Sequence, residues 1–300
     1  MSGVNELSRV GITPALPAVA IEHALAVHRS RKRISAFRLH RPTDTAAAVQ
    51  MLHDLPQACL VAGGIDVVNR LKCGEPCEHV ISVDRLDRLR QIDLHGTTLR
   101  VGAACTHDQI ATSGVVRHAA PALARVWASM ANPRIRFKGT VGGNVMARHP
   151  DYEGEAILSA IGATLCFTTR DGPQIVPPAD PLVDRRGWLL EGFAAPVERD
   201  LRVIYDRSCK GVAGVVLVIA SDGRSVLRAR ASTTWAHPTV YCAELSLAGR
   251  LLSDVVRDAA DIARDWAGGM PDPLSNHLAS ARYRKRILEI GLKRALQNIQ

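Results

Sequence analysis

The sequence predicts an α+β protein built as two domains, and three observations carry that reading. Short strands and helices alternate without the regular strand–helix–strand rhythm of a doubly wound sheet. Hairpin turns recur, at His95-Gly96, Asp171-Gly172 and Asp222-Gly223. The chain has 300 residues, 47% of them hydrophobic, enough for a sizeable core and a length that suits two domains.

Residues 1–35 read as an N-terminal extension with one weak helix around "AIEHALAVHR". The first domain, residues 36–200, opens with a helix that Thr43 or Asp44 can cap and that carries Ala47, Val49, Leu52 and Leu55 on its apolar side. "ACLVAGG" is a short strand ending in paired glycines, "HVISVD" is another, and "RQIDLHGTTLRVGAAC" is a hairpin. A long helical region runs from Thr106 through "GVVRHAAPALARVWASMAN", broken at Pro121. After a second glycine pair, in "KGTVGGNVMARHP", come a helix, "EGEAILSAIGA", and a hairpin, "TLCFTTRDGPQIV". Residues 174–200, with Pro177, Pro178, Pro181 and Pro196, suit a connecting segment. The second domain, residues 201–300, has a hairpin "AGVVLVIASDGRSVLRARAS" and helices near 251–267 and 277–297. In the last of these, Ile287, Ile290, Leu292 and Leu296 fall near helical spacing, so it reads as a packed amphipathic helix.

Composition excludes several functions. Cys59, Cys73, Cys77, Cys105, Cys166, Cys209 and Cys242 are scattered and odd in number, as reduced thiols of a cytosolic chain are. "CGEPC" has three intervening residues and no second pair, so it reads as a turn between small apolar residues rather than a metal site. No apolar stretch reaches bilayer-spanning length. The basic cluster near the start follows the mildly apolar part, the reverse of a signal peptide, so the expected location is cytoplasmic. The net charge of +9 comes with only 4% aromatics and with basic residues spread from end to end. That composition lacks the stacking platforms of nucleic-acid binders, and an acidic protein partner accounts for the charge equally well. No nucleophile-elbow motif supports hydrolase chemistry.

The two glycine pairs carry the functional argument. Each directly follows an apolar run. Paired glycines remove the Cβ atoms that hold a backbone away from a ligand, and they permit consecutive N–H groups to converge on an anion. The dinucleotide fingerprint G-x-G-x-x-G and the phosphate loop G-x-x-x-x-G-K-[ST] are both absent. Two separate loops gripping one diphosphate is the arrangement that remains.

Five stretches then occur in one order: "LVAGGIDVVNRLK", "ISVDRLDRLRQI", "LRVGAACTHDQI", "NPRIRFKGTVGGNVMARHP" and "ASARYRKRILEIGLKRAL". From about residue 36 to the C-terminus the chain resembles the FAD-binding medium subunit of molybdenum hydroxylases, the group of xanthine dehydrogenase and aerobic carbon monoxide dehydrogenase. The resemblance implies a two-lobed FAD-binding domain of the vanillyl-alcohol-oxidase-like (PCMH) type followed by a smaller α+β C-terminal domain. It maps the family's first loop onto Ala62, Gly63, Gly64, Ile65 and Asp66, and its second onto Thr140, Val141, Gly142, Gly143 and Asn144. In the family these loops bind the FAD diphosphate through backbone amides. Gly102 and Thr106 match a further stretch near the cofactor, and Glu153 stands where the family places a carboxylate after the second loop.

The resemblance also implies function and partners. This chain would take electrons from iron–sulfur clusters and pass them to an external acceptor. A 2Fe-2S small subunit and a molybdopterin large subunit would complete a heterotrimer or its dimer. The alternatives are a stand-alone FAD-dependent oxidoreductase and a flavin-free structural subunit. The chain departs from the family at Ile65 and Cys105, where Thr is usual, at Phe137, where Asn is usual, and at Glu153, where Asp is usual. Two further residues have two readings each. His149 is a cofactor contact or a surface loop residue, and Tyr205 approaches the flavin or belongs to the core. His107-Asp108 reads best as a helix start with an acidic first turn.

Overall fold

A computed structural model describes residues 34–299 apart from 150–151, 181–184, 199, 209–210, 235 and 238–239. The helix expected around "AIEHALAVHR" lies outside the described residues. The chain begins with β1 (Arg38–His40), α1 (Thr45–Asp54), β2 (Cys59–Val61), α2 (Ile65–Lys72) and β3 (His79–Ser82). The three strands form a parallel sheet in the order β1-β3-β2. Asp44 is the cap of α1: its carboxylate accepts from Ala47 N at 2.8 Å, which satisfies one of the orphan amides of the first turn. Ala48 and Val49 of α1 pack against Ile81 and Val83 in a small core.

A second sheet is antiparallel. The hairpin β4 (Ile92–His95) and β5 (Thr98–Gly102) is followed by six short helices: α3 (His107–Thr112), α4 (Gly114–Ala119), α5 (Pro121–Ser129), α6 (Pro133–Arg136), α7 (Val141–Met146) and α8 (Gly154–Ala160). Then come β6 (Thr164–Thr169), β7 (Gly172–Val176) and β8 (Leu189–Pro196), giving the order β4-β5-β8-β6-β7. Two expectations change here. The helical region after Thr106 breaks at Ser113 as well as at Pro121, because the Ser113 hydroxyl accepts from Val116 N and starts a new helix. The segment expected only to connect holds β8, the central strand, whose Leu189, Leu190, Phe193 and Ala195 are buried. Its turn-rich flanks hide a strand that exists only by insertion between two hairpins. Gly192 permits the insertion, since a Cβ there would stand 2.1 Å from the Val101 carbonyl oxygen.

The third sheet contains β9 (Leu201–Arg207), β10 (Gly214–Ser221), β11 (Val226–Thr234) and β12 (Cys242–Glu244), antiparallel in the order β12-β11-β10-β9. The hairpin at Asp222-Gly223 forms as expected: Asp222 accepts from Arg224 N and Ser225 N, and Gly223 takes φ +87°. The continuous apolar run of β10 follows from burial on both faces. Val216 and Val218 join the core that includes Leu99, Trp127 and Leu165. Val215, Leu217 and Ile219 join a core with α10 (Ala259–Gly269) and α11 (Ala281–Gln297), which follow α9 (Leu252–Arg257). Among the described residues no helix is long and apolar enough to cross a membrane.

Candidate cofactor site

The first glycine loop leaves β2 and enters α2. Gly64 holds φ +77°, a left-handed conformation that favours glycine, and no side chain caps the helix behind it. Among the described residues the first-turn amides of α2 have no acceptor, and the positive end of the helix dipole sits at the same place. Ala62, Gly63, Gly64, Ile65 and Asp66 all line one cavity of about 680 Å³. The carboxylate of Asp66 is occupied within the protein: Tyr152 donates to it at 3.1 Å and Arg70 Nε lies 3.3 Å away. Those partners offset a negative charge that would otherwise compete with an anion at the helix end.

Gly63 serves a different need from Gly64. A Cβ on it would stand 1.7 Å from the carbonyl oxygen of Lys138, so its bare backbone lets the first loop touch the approach to the second. In that second loop Thr140 caps α7, its hydroxyl accepting from Gly143 N at 3.1 Å. Val141 N donates to Cys105 O, Gly142 N to Ala103 O, and Asn144 N to Thr140 O. Every amide from Val141 to Asn144 is thus spent inside the protein. This loop offers shape rather than free donors. Gly143 lines the cavity, and among the described residues the only atom outside its own helix within 4 Å of a Cβ there is Thr140 Oγ1, at 3.0 Å. The space a side chain would take is left to the cavity.

Thr140, Gly142, Asn144 and Glu153 also line the cavity, whereas Gly102, Thr106 and Val141 do not. Gly102 lets β5 cross close to Leu89, whose carbonyl oxygen would be 2.3 Å from a Cβ. Thr106 forms a capping box with Gln109 and bridges to Thr140, so it supports the second loop from behind. Val141 is buried core. Asn144 Oδ1 accepts from Gly154 N at 2.9 Å and ties α7 to α8. Of the departures, Ile65 lines the cavity, Cys105 is buried with its thiol donating to Gln91 O and pushed up to about 11 by burial, and Phe137 is exposed. His149 packs beside Tyr152, with ring centroids 5.1 Å apart.

The far wall sets Glu153 beside arginines that the sequence did not single out. Glu153 is buried, and its Oε1 accepts from Tyr205 Oη at 3.3 Å and from Arg207 Nη1 at 3.2 Å. Burial raises its carboxyl above the usual range, and Arg207 and Tyr205 oppose the rise. Tyr205 thus belongs to the packed wall, held against the core of β5 and β6. Arg185 is buried at the same cavity, donating to Pro178 O at 2.7 Å, with Glu155 3.8 Å away. Arg207 was legible only as the residue two places after Tyr205 on one strand face. Arg185 gave no signal, since it falls in the segment that reads as a connection.

A cavity walled by an uncapped helix start on one side and a side-chain-free turn on the other suits a large ligand with an anionic centre. Its volume lies within the about 300–1,000 Å³ of small-molecule and cofactor sites. The fold and the cavity together define a nucleotide-cofactor protein of two loops, not of the Rossmann kind. Residues 35–187 match the FAD binding domain in molybdopterin dehydrogenase, and the chain belongs to this family. FAD fits the residues present: the free amides at Gly64 and Ile65 face its charge requirement, and Gly143 leaves it room.

Among curated relatives, the carbon monoxide dehydrogenase medium chain of Hydrogenophaga pseudoflava is 27% identical over 277 residues, 87% of this chain and 96% of that one. The xanthine dehydrogenase FAD-binding subunit of Escherichia coli O157:H7 is 37% identical over 108 residues, 35% of this chain and 37% of that one. Among solved structures, a carbon monoxide dehydrogenase from H. pseudoflava superposes with a TM-score of 0.80 at 24% identity, covering 87% of this chain and 96% of its own. Quinoline 2-oxidoreductase from Pseudomonas putida 86 gives 0.78 at 21% identity, over 88% and 96%. These structures share the fold.

Proposed function

We propose that this chain is the FAD-binding, electron-transfer medium subunit of a multi-subunit molybdenum hydroxylase. It works beside an iron–sulfur small subunit and a molybdopterin large subunit, as a heterotrimer or its dimer, in the cytoplasm. The medium-chain and FAD-subunit names of its relatives support the assembly. The division into an extension (1–35), a FAD-binding domain (36–200) and a C-terminal domain (201–300) belongs to the same reading.

The single observation that carries the cofactor site is the uncapped first turn of α2 at the cavity wall. FAD, when bound, supplies the redox chemistry; the protein supplies binding, orientation and exclusion of water. The amides of Gly64, Ile65 and Asp66 would donate to its diphosphate. Thr140 holds the second loop in shape so that Gly143 presents no side chain. Glu153, fixed by Tyr205 and Arg207, closes the wall between β9 and α8. Gly102, Thr106 and Val141 support this arrangement without touching the ligand space.

The test has two arms. The purified complex should carry about one FAD per copy of this chain, identified after extraction. The lone chain should bind FAD but hydroxylate neither heterocycles nor aldehydes. Absence of FAD, or FMN in its place, refutes the cofactor reading; hydroxylation by the lone chain refutes the subunit reading and favours a stand-alone enzyme.

A further inference from the structure

His107 opens α3 and is 2% exposed, yet its ring reaches the cavity wall beside Met130, Ile135 and Gly139. Trp127 Nε1 donates to His107 Nδ1 at 3.1 Å. An indole nitrogen only donates, so Nδ1 is the bare nitrogen, and the proton of the neutral ring sits on Nε2. Burial first, and the Arg136 guanidinium second, hold His107 down at about 4, so the ring is neutral at pH 7. Among the described residues Nε2 has no hydrogen-bond partner. Gly139 keeps that edge of the ring open: a Cβ on it would lie 3.1 Å from Cδ2 and 3.4 Å from Nε2. Nearby, Arg136 donates to the carbonyls of Met130 and Ala131, and Ala131 is held at φ +46°, so this stretch of wall is rigidly set.

Nε2–H therefore meets the cavity with its proton uncommitted to any described residue, and a ligand acceptor there gains a hydrogen bond. We infer that His107 is a cofactor-binding residue, its tautomer fixed by Trp127 so that Nε2–H donates to an acceptor atom of FAD. The acceptor belongs to either the ADP half or the flavin half of the cofactor. The inference rests on FAD filling the cavity.

The full-length chain, freed of FAD, tests it. Dissociation constants for FAD and for ADP are measured in wild type, His107→Phe and His107→Gln, and the Nε2–H resonance is followed in ¹⁵N-histidine-labelled wild type. His107→Phe should weaken FAD binding about three- to tenfold, the scale of one neutral hydrogen bond. His107→Gln, which can place an N–H near the same point, should retain most of the affinity, and the resonance should move when FAD is added. A parallel loss of ADP affinity puts the acceptor on the ADP half, and a loss confined to FAD puts it on the flavin half. Unchanged FAD affinity in His107→Phe, or a resonance that FAD leaves unmoved, makes His107 a structural partner of Trp127 and overturns the inference. Failure of the wild-type chain to bind FAD sinks the cofactor reading instead. If His107→Phe does not fold, the wild-type resonance still decides.

Discussion

Alanine at Gly143 and alanine at Gly63 add the same methyl group to two neighbouring loops, with opposite expected effects. At Gly143 the methyl meets only Thr140 Oγ1, at 3.0 Å, and otherwise projects into the cavity. Position 143 lies inside α7, where alanine is favoured over glycine by about 0.8–1 kcal/mol, which offsets the tight contact. Stability of the cofactor-free chain should therefore change by about 1 kcal/mol or less, a melting shift of about 2–4 °C at most. FAD must move away from the wall and should lose the worth of about one hydrogen bond to its charged diphosphate, about 1.5–3 kcal/mol, or roughly ten- to hundredfold in affinity. At Gly63 the added carbon would lie 1.7 Å from the Lys138 carbonyl oxygen, against about 3.5 Å for ordinary contact, so backbone must shift. Overpacking of this kind costs about 1–3 kcal/mol or more, a fall of roughly 2–12 °C before any cofactor is added. The assay is thermal melting of the stripped chains followed by FAD titration read by flavin fluorescence. A folded Gly143→Ala chain that binds FAD as wild type does would show that this glycine does not face the cofactor. A Gly63→Ala chain of wild-type stability would show that the loops do not touch.

Two further outcomes concern titrating groups. His107 is held at about 4 against an ordinary 6.5, so the stability it contributes is complete above pH 6.5 and is lost as pH falls towards 4. The total is on the order of 3 kcal/mol, because each tenfold change in proton affinity corresponds to about 1.4 kcal/mol. Urea unfolding at several pH values should show this loss in wild type and not in His107→Gln; equal slopes reject it. Arg207→Met removes the charged partner of buried Glu153, leaving the Tyr205 hydroxyl and its own backbone N–H, and raises its carboxyl further. A raised carboxyl costs stability above its folded pKa and regains it as pH falls through that value, so the variant should lose about 1–3 kcal/mol at pH 7 and less at pH 5. The lower figure reflects Arg207 being 39% exposed. A loss that does not change with pH counts against the pairing.

Much of the local structure was legible in the sequence because it depends on neighbours along the chain. The Asp222-Gly223 hairpin, the cap of α1 and the amphipathic face of α11 are set by turn chemistry, a side-chain acceptor and helical spacing. In α11 the expected Leu292 and Leu296 are buried and Ile287 packs beside them, whereas Leu288 takes the core place expected of Ile290, which is only partly buried. The two glycine turns were equally visible, and the order of the motifs around them pointed to the family. Their division of labour was not. Four glycines read alike in sequence, but Gly63 admits a carbonyl from 75 residues away, Gly64 takes a left-handed φ, Gly142 packs on Ala103, and Gly143 alone leaves room in the cavity. Which amides remain free was decided in the same way, since Val141 and Gly142 spend theirs on Cys105 and Ala103, nearly 40 residues earlier. Strand β8 formed in a turn-rich segment because two hairpins left a gap for it, and Glu153 met Arg207 across more than 50 residues. Periodicity and turn preference act over a few residues, whereas hydrogen-bond satisfaction, close backbone approach and burial of charge are settled by whatever distant segment arrives. That is why the sequence by itself determined the elements and the kind of site, and only the tertiary structure decided which of its groups are left to meet a ligand.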